Sequence, residues 1–480
     1  MAYIPADQKE AATNSLPLSS HTLNPDDRYQ SPHENAWIRF MTKLGWCPNG
    51  MPSKEKNLIL KLDLSILIFG CLSFFTKYLD QQSITNAYVS GMKEDLHMFG
   101  NELNYVTVTF WASYCTFMIP ACYFLTHYPA NIVLPILEVG WGLSTFGLAW
   151  AQNFETLHAM RFLTGMFECC SFTGTIYFIG SWYKPTEIGR RTALFFIASP
   201  LGTMFAGWLF IVDAIITIPI ALIGFFVFPD VPPRKLPRYL TEAEHMYAGK
   251  RLAGLTAPPQ LKSSKSIFRR VLSNWHFYAF VIQWTLMDQN FAPYSQPFSL
   301  YLKAKSDLYS VVRINTLPTV ATAISIVSAL ISGIVADKTG RFWIPTLAVT
   351  VPVLIGISLL VAWDVTEIGR LAAFMIIGFE GAVSPMTMGW GTVVMASDAE
   401  ERAVVTASMN AIGQAIAAGC QVVQYPASGA PNFKGGFISA LATTIGQLIM
   451  VFAIMFLSNR DKKKKAREVG PCKERSRIVI

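Results

Sequence analysis

Twelve apolar runs are spaced along the chain, near 58–80, 104–126, 130–151, 158–182, 192–207, 208–228, 275–302, 316–335, 343–363, 370–395, 403–425 and 435–457. A helix of about 20 apolar residues spans the hydrocarbon core of a bilayer. Each run therefore predicts a membrane-spanning helix. The stretch 229–272 is polar, basic and rich in proline, and it divides the runs six and six. The predicted organisation is a polar tail (1–57), a first membrane bundle (58–228), a central loop (229–272), a second bundle (273–458) and a basic tail (459–480). The fold class is all-α integral membrane. One region is tight: Thr192–Phe228 carries a single charge, Asp213. One helix of that length would measure about 55 Å, far beyond the core. Two clipped spans meeting near Gly207-Trp208 fit better, since an odd number would move the basic central loop to the other side.

Composition removes the soluble alternatives. Of 480 residues, 52% are hydrophobic and only 15% charged, against about 25% charged in soluble domains. The net charge is +8, with positives gathered in Arg234–Arg270 and Arg460–Arg477. These clusters flank membrane spans, so they indicate orientation and contact with anionic membrane lipid, not nucleic acid. Lys184, Arg190, Arg191, Lys338, Arg341, Arg402 and the Lys462–Lys465 run all fall on one side. The opposite loops are poorer, with Lys303, Lys305 and Arg313 as an exception. The asymmetry puts both termini in the cytoplasm. The polar N-terminal stretch predicts no cleavable leader, so the first span would serve as the insertion signal. Six of the eight cysteines lie inside apolar runs and read as packing residues. There is no phosphate-binding loop, no H-E-x-x-H and no Ser-His-Asp grouping. The expectation is a non-enzyme without cofactor or metal.

Charges inside spans are expensive and mark function. In the first span, Lys77 and Asp80 are three residues apart, share a helix face and can pair. Near the end of a span they can equally reach water. In the fourth, Arg161, Gly165 and Glu168 follow at one-turn intervals. An inward Arg161 can bind a carboxylate in bidentate fashion or hold a neighbouring acid. In the seventh, Asp288, Gln289 and Asn290 precede Pro293, which breaks the backbone ladder. Glu138 and Glu380 are further acids within spans, either titrating or structural. Asn410, Gln414 and Gln421 recur at helical spacing, facing a cavity or joining helices. The candidate substrate contacts are Arg161, Lys77, Gln289, Asn290, Asn410 and Gln414. The candidate proton-coupling acids are Asp80, Glu168, Glu138, Asp288 and Glu380.

The segment Gly333-Ile-Val-Ala-Asp337-Lys338-Thr-Gly340-Arg341 resembles the signature loop of the major facilitator superfamily, which lies between the second and third helix of each six-helix half. The resemblance implies the major facilitator fold and a conformational gating role for Gly333, Asp337, Lys338, Gly340 and Arg341. Gly340 permits the tight turn. Asp337 can accept from helix N-terminal amides or pair with a cation. Weak repeats at 181–191 and 397–402 put Glu and Arg in a short turn before a helix, as two related halves would.

Lys77-Tyr-Leu-Asp80-Gln-Gln-Ser-Ile-Thr-Asn-Ala-Tyr-Val-Ser-Gly-Met92 resembles the first helix of the fungal anion:cation symporters, the allantoate permease family. Its form is similar to that of the pantothenate permeases, although many members carry Arg where this chain has Gln81. Arg161-Phe-Leu-Thr-Gly165-Met-Phe-Glu168 resembles the R-F-L-x-G-x-F-E motif of that branch. The resemblance implies a monomeric plasma-membrane secondary transporter that imports a small organic anion, pantothenate, by proton symport. It leaves open another carboxylate (nicotinate, biotin or allantoate) and a nutrient sensor that no longer transports.

Overall fold

The computed structural model describes residues 46, 51–87, 92, 96, 102–205, 210–230, 237, 239–252, 264–291, 293, 296–305, 307–425 and 431–469. Residues 1–60 form a separate unit, and most of the predicted tail 1–57 lies outside the described residues. Helix and turn make up all regular structure among the described residues. Nine stretches there are long and apolar enough to cross a membrane, with a shorter apolar helix at Ile216–Val227.

The first half comprises α1 (Ser53–Leu62), a π-helical turn (Asp63–Leu67), α2 (Ile68–Ala87), α3 (Glu102–His127), α4 (Ala130–Leu148), α5 (Phe154–Trp182), α6 (Ile188–Phe205) and α7 (Phe210–Val227). The central loop holds two polar helices, α8 (Glu242–Leu252) and α9 (Ser264–Leu272). The second half comprises α10 (Trp275–Phe291), α11 (Gln296–Lys303), α12 (Val311–Thr339), α13 (Trp343–Ala362), α14 (Glu367–Ile377), a 3₁₀ segment (Gly378–Ala382), α15 (Val383–Val394), α16 (Ala399–Gln424) and α17 (Lys434–Val469).

The halves repeat their packing. α2 lies on α6 as α10 lies on α16, and α4 lies on α7 as α13 lies on α17. Between the halves, α6 packs on α12 and α3 packs on α16. Small residues bring helices close within each half. A Cβ on Gly165 would come within 2.5 Å of the Phe110 carbonyl of α3. The two turns named in the sequence as repeats do the same job in both halves. Glu187, between α5 and α6, pairs with Arg251 of α8. Glu400, at the start of α16, pairs with Arg270 of α9 at 2.9 Å. The central loop is thereby tied to one end of each half.

The tight 192–228 region folds as two helices, and three departures from the apolar runs stand out elsewhere. α6 and α7 are two 18-residue helices, each about 27 Å long, as the tight 192–228 region demands; the expected junction at Gly207-Trp208 lies outside the described residues. The seventh span is not one helix: α10 ends at Phe291, Pro293 follows, and α11 begins at Gln296. The tenth span, expected as continuous over 370–395, is also interrupted, by the 3₁₀ turn that contains Glu380. The cause is close approach. A Cβ on Gly378 would sit 2.3 Å from the Ala321 carbonyl of α12, and one on Gly381 would overlap Ser325. α12 presses here, and the tighter coil accommodates it. The last helix also outruns its apolar stretch, continuing through the predicted basic tail to Val469.

Candidate functional site

A cavity of about 890 Å³ lies between the halves. Lys77, Tyr78 and Phe74 of α2, Tyr114 of α3 and Phe172 of α5 line one side. Trp284, Asp288 and Gln289 of α10, with Asn410 and Gln414 of α16, line the other. Ser299, Thr319 and Gln424 extend it toward one end of the bundle. Thr319 lies eighteen residues along α12 from Asp337, about 27 Å of helix. The described lining thus extends toward the end of the bundle opposite Asp337. Lys77 is the one cation among its described lining residues.

Behind Lys77 sits a cluster of four charges. Lys77 and Arg161 are 3% and 2% exposed, and Asp80 and Glu168 are fully buried. Lys77 and Asp80 share a face of α2 but do not pair with each other. Each reaches instead to α5: Lys77 Nζ lies 3.4 Å from Glu168, and Arg161 Nη1 lies 3.5 Å from Asp80. Lys77 also donates to the Tyr114 hydroxyl at 2.5 Å. Gln81 donates to Glu168 at 3.2 Å, and the Trp141 indole donates to Asp80 at 3.4 Å. The two pairs hold two positive and two negative charges in a dry site, where an uncompensated charge costs several kcal/mol. Their contacts are long, and one oxygen each of Asp80 and Glu168 has no hydrogen-bond partner. The cluster is neutral but loosely joined, which suits groups that exchange partners. Arg161 does not line the cavity; it faces Asp80, with its guanidinium over the Phe110 ring.

The second half spreads its polar groups differently. Asp288 and Gln289 face the cavity, but Asn290 turns away from it. Asn290 donates to Gln447 at 2.8 Å and accepts from Thr443 at 2.6 Å, and Gln447 donates to Thr350 at 3.2 Å. Glu380 is fully buried in its 3₁₀ turn. The amides of Asn290 and Gln447 stand beside it, yet neither carboxylate oxygen has a well-formed hydrogen bond. Asn410 crosses between halves and donates to the Tyr114 hydroxyl at 3.2 Å. It thereby joins Lys77 through one shared oxygen. Glu138 accepts from Ser73, which contacts Ser171 at 2.9 Å, and forms no ion pair among the described residues.

Sequence comparison decides the family. A family model described as Major Facilitator Superfamily matches residues 70–420. The chain belongs to the major facilitator superfamily. MFS transporter PfmaC of Pestalotiopsis fici is 33% identical over 88% of this chain and 84% of its own length. Pantothenate transporter liz1 of Schizosaccharomyces pombe is 32% identical over 87% of this chain and 85% of its own. Pantothenate transporter FEN2 of Saccharomyces cerevisiae is 32% identical over 86% of each. This chain is a multi-pass membrane transporter of the major facilitator kind, similar to those proteins.

In this superfamily member the signature loop divides its labour. Asp337 is buried and accepts from Gly189 N at 2.8 Å, Arg190 N at 3.1 Å and Arg190 Nε at 2.6 Å. It caps α6 of the opposite half. Gly333 lets α12 approach to where a Cβ would meet the Gly189 carbonyl at 2.9 Å. Gly340 adopts φ 63° and ends α12. Lys338, Gly340 and Arg341 remain exposed. A second crossing runs the other way, with Arg402 of α16 donating to the Gly180 carbonyl at 3.0 Å and to Ser181 at 2.7 Å. Sequence reasoning used Arg190 and Arg402 for orientation and for the repeat between halves, and passed over Tyr114, Trp141, Gln447 and Thr350. Polar residues in apolar runs are the signal that was available for the last two.

Proposed function

We propose that this transporter imports a small organic anion, pantothenate, by proton symport across the plasma membrane. The observation that carries this reading is the placement of Lys77: it lines the cavity and touches Glu168 behind it. One ammonium cannot serve two carboxylates equally. When Glu168 takes a proton, Lys77 is released to bind an anion in the cavity. When the anion leaves, Lys77 returns to Glu168 and the proton is expelled. The cluster stays neutral in both states, so anion and proton travel together. Tyr114, Asn410, Gln289 and Gln414 supply hydrogen bonds that orient the rest of the substrate. Asp80 holds Arg161 behind the Lys77–Glu168 pair. Asp288, Glu138 and Glu380 are secondary candidates for the proton.

Both termini, the central loop and the ends tied by Asp337 and Arg402 are cytoplasmic in this reading, supported by the Lys/Arg asymmetry. The conformation described is then closed inside and open outside. The similarity to liz1 and FEN2 supports pantothenate.

The test is uptake of labelled pantothenate by cells that lack their own transporter and express this chain. Accumulation should rise at acid external pH and collapse with a protonophore. Glu168→Gln should abolish accumulation and spare exchange of substrate across the membrane. Competition by nicotinate, biotin or allantoate, but not pantothenate, would reassign the substrate. Signalling without accumulation would make the chain a sensor.

A further inference from the structure

A second cavity, of about 780 Å³, opens where the ends of α10, α15 and α17 meet the signature loop. It is remote from the central cavity and shares no lining residue with it. Its chemistry is unlike that of a packing defect. Arg341, Lys462 and Lys464 line it, and among the described residues none of the three forms an ion pair. The one carboxylate in its lining, Asp461, is engaged by the Trp275 indole at 2.8 Å and by Arg460 at 3.3 Å. Ser458 is 9% exposed, lines the cavity, and its hydroxyl has no partner. A buried hydroxyl without a partner is uncommon in a finished site. Trp343 and Trp390 complete the wall. The cavity lies where the apolar part of α17 gives way to its charged end, so indole and lysine stand at headgroup depth.

We infer that this cavity binds a phosphate-bearing anion, with Lys462, Lys464 and Arg341 around the phosphate and Ser458 donating to it. Three cations and a hydroxyl match the charge and the acceptor oxygens of a phosphate diester or monoester. The position between helices at a basic membrane face is that of an anionic lipid headgroup. The site adjoins Gly340-Arg341, so its occupancy bears on the loop whose Asp337 joins the halves.

Native mass spectrometry of the purified full chain tests this. Phosphatidylglycerol should stay bound at voltages that strip phosphatidylcholine. Lys462→Gln and Lys464→Gln should each weaken retention about fivefold, the value of one cation near an anionic surface. Ser458→Ala should weaken it further, and Lys463→Gln, on the same helix but outside the cavity, should leave it unchanged. Every variant is checked for a monodisperse elution profile, and Ser458→Ala, a small isosteric change, keeps the test informative if a charge variant misfolds. Equal loss with Lys463→Gln would mean diffuse surface attraction and overturn the site. Equal retention of phosphatidylcholine would overturn recognition of an anion. Full displacement of the lipid by glycerol phosphate or inorganic phosphate would assign the same residues to a soluble phosphate and overturn the lipid.

Discussion

Asp337 of the second half caps α6 of the first, holding Arg190 at 2.6 Å and the amides of residues 189 and 190 at 2.8 and 3.1 Å. Three donors from one helix start converge on one buried carboxylate. Hydrogen bonds to a charged group contribute about 1.5–3 kcal/mol each. The first-half loop equivalent to the Asp337 loop reads Thr126-His127-Tyr128-Pro129 and has no acid. The acid latch is therefore made from one half only, and the reciprocal crossing is Arg402 on Gly180 and Ser181.

Asp337→Asn should loosen this end. Arg190 then keeps a partner of the right shape but loses its counter-charge. Uptake is expected to fall by about tenfold or more. A cysteine placed at Ala336 should become reactive to a polar thiol reagent in the variant and not in the parent. Unchanged reactivity would show that the latch contributes nothing to closure.

Arg161 and Asp80 should behave as a structural pair. Arg161→Ala leaves a buried Asp80 uncompensated, a loss of about 3–5 kcal/mol. Folded protein should fall sharply. Arg161→Met with Asp80→Leu should recover most of the folded yield, because replacing both partners by apolar groups removes the unpaired charge. Measured KM for the anion should move less in Arg161→Lys than in Lys77→Arg, since Lys77 alone of the two lines the cavity. The reverse order would place Arg161 in contact with substrate.

The interrupted tenth span is sensitive to volume. Gly378→Ala would push a methyl against the Ala321 carbonyl at 2.3 Å, a backbone neighbour that cannot rotate aside. A loss of about 1–3 kcal/mol is expected, read as a lowered Tm in detergent. Gly419→Ala, where nothing lies within 4 Å, is the neutral control.

Acid should release α8. Glu244 caps its own helix through Thr241 and accepts from Lys61 at 2.7 Å. Burial alone would raise its carboxyl, but these hydrogen bonds outweigh that and hold it below the usual value. A depressed folded pKa contributes stability above the unfolded value, about 4.3 for Glu, and that contribution is lost as pH falls through the folded pKa. The pair is part-exposed, so the effect stays under about 1 kcal/mol. Hydrogen exchange over 242–252 should quicken in that acid window for the parent, and Glu244→Gln should exchange quickly at neutral pH as well.

The apolar runs made most of the architecture legible, because membrane spans announce themselves by length. Gly340 and Pro293 were legible for the same local reason: each forces one backbone outcome. The break at Glu380 was hidden. Gly378 and Gly381 look like ordinary small residues until Ala321 and Ser325, more than fifty positions earlier, press against them. The charge cluster was half-read. Spacing put Lys77 and Asp80 on one face and Arg161 and Glu168 on another, but helix-face arithmetic cannot say which faces meet. Lys77 and Asp80 therefore looked like partners of each other. Arg161 stayed open between a substrate contact and a partner for a neighbouring acid for the same reason, since its place beside Asp80 depends on how α2 and α5 are rotated. Asn290 shows the limit most plainly: its neighbour Gln289 faces the cavity while it faces Gln447.

The sharing of Lys77 between Glu168 and the cavity also bears on leakage. On the reading proposed above, an empty carrier that picks up a proton leaves its ammonium at the cavity wall with neither the Glu168 charge nor an anion to balance it. An anion that enters without a proton meets an ammonium already claimed by Glu168. Neither half-loaded state is comfortable enough to cross. On that reading a single lysine discourages both proton slip and uncoupled efflux, and a cell with a steep gradient keeps its cargo without a separate valve.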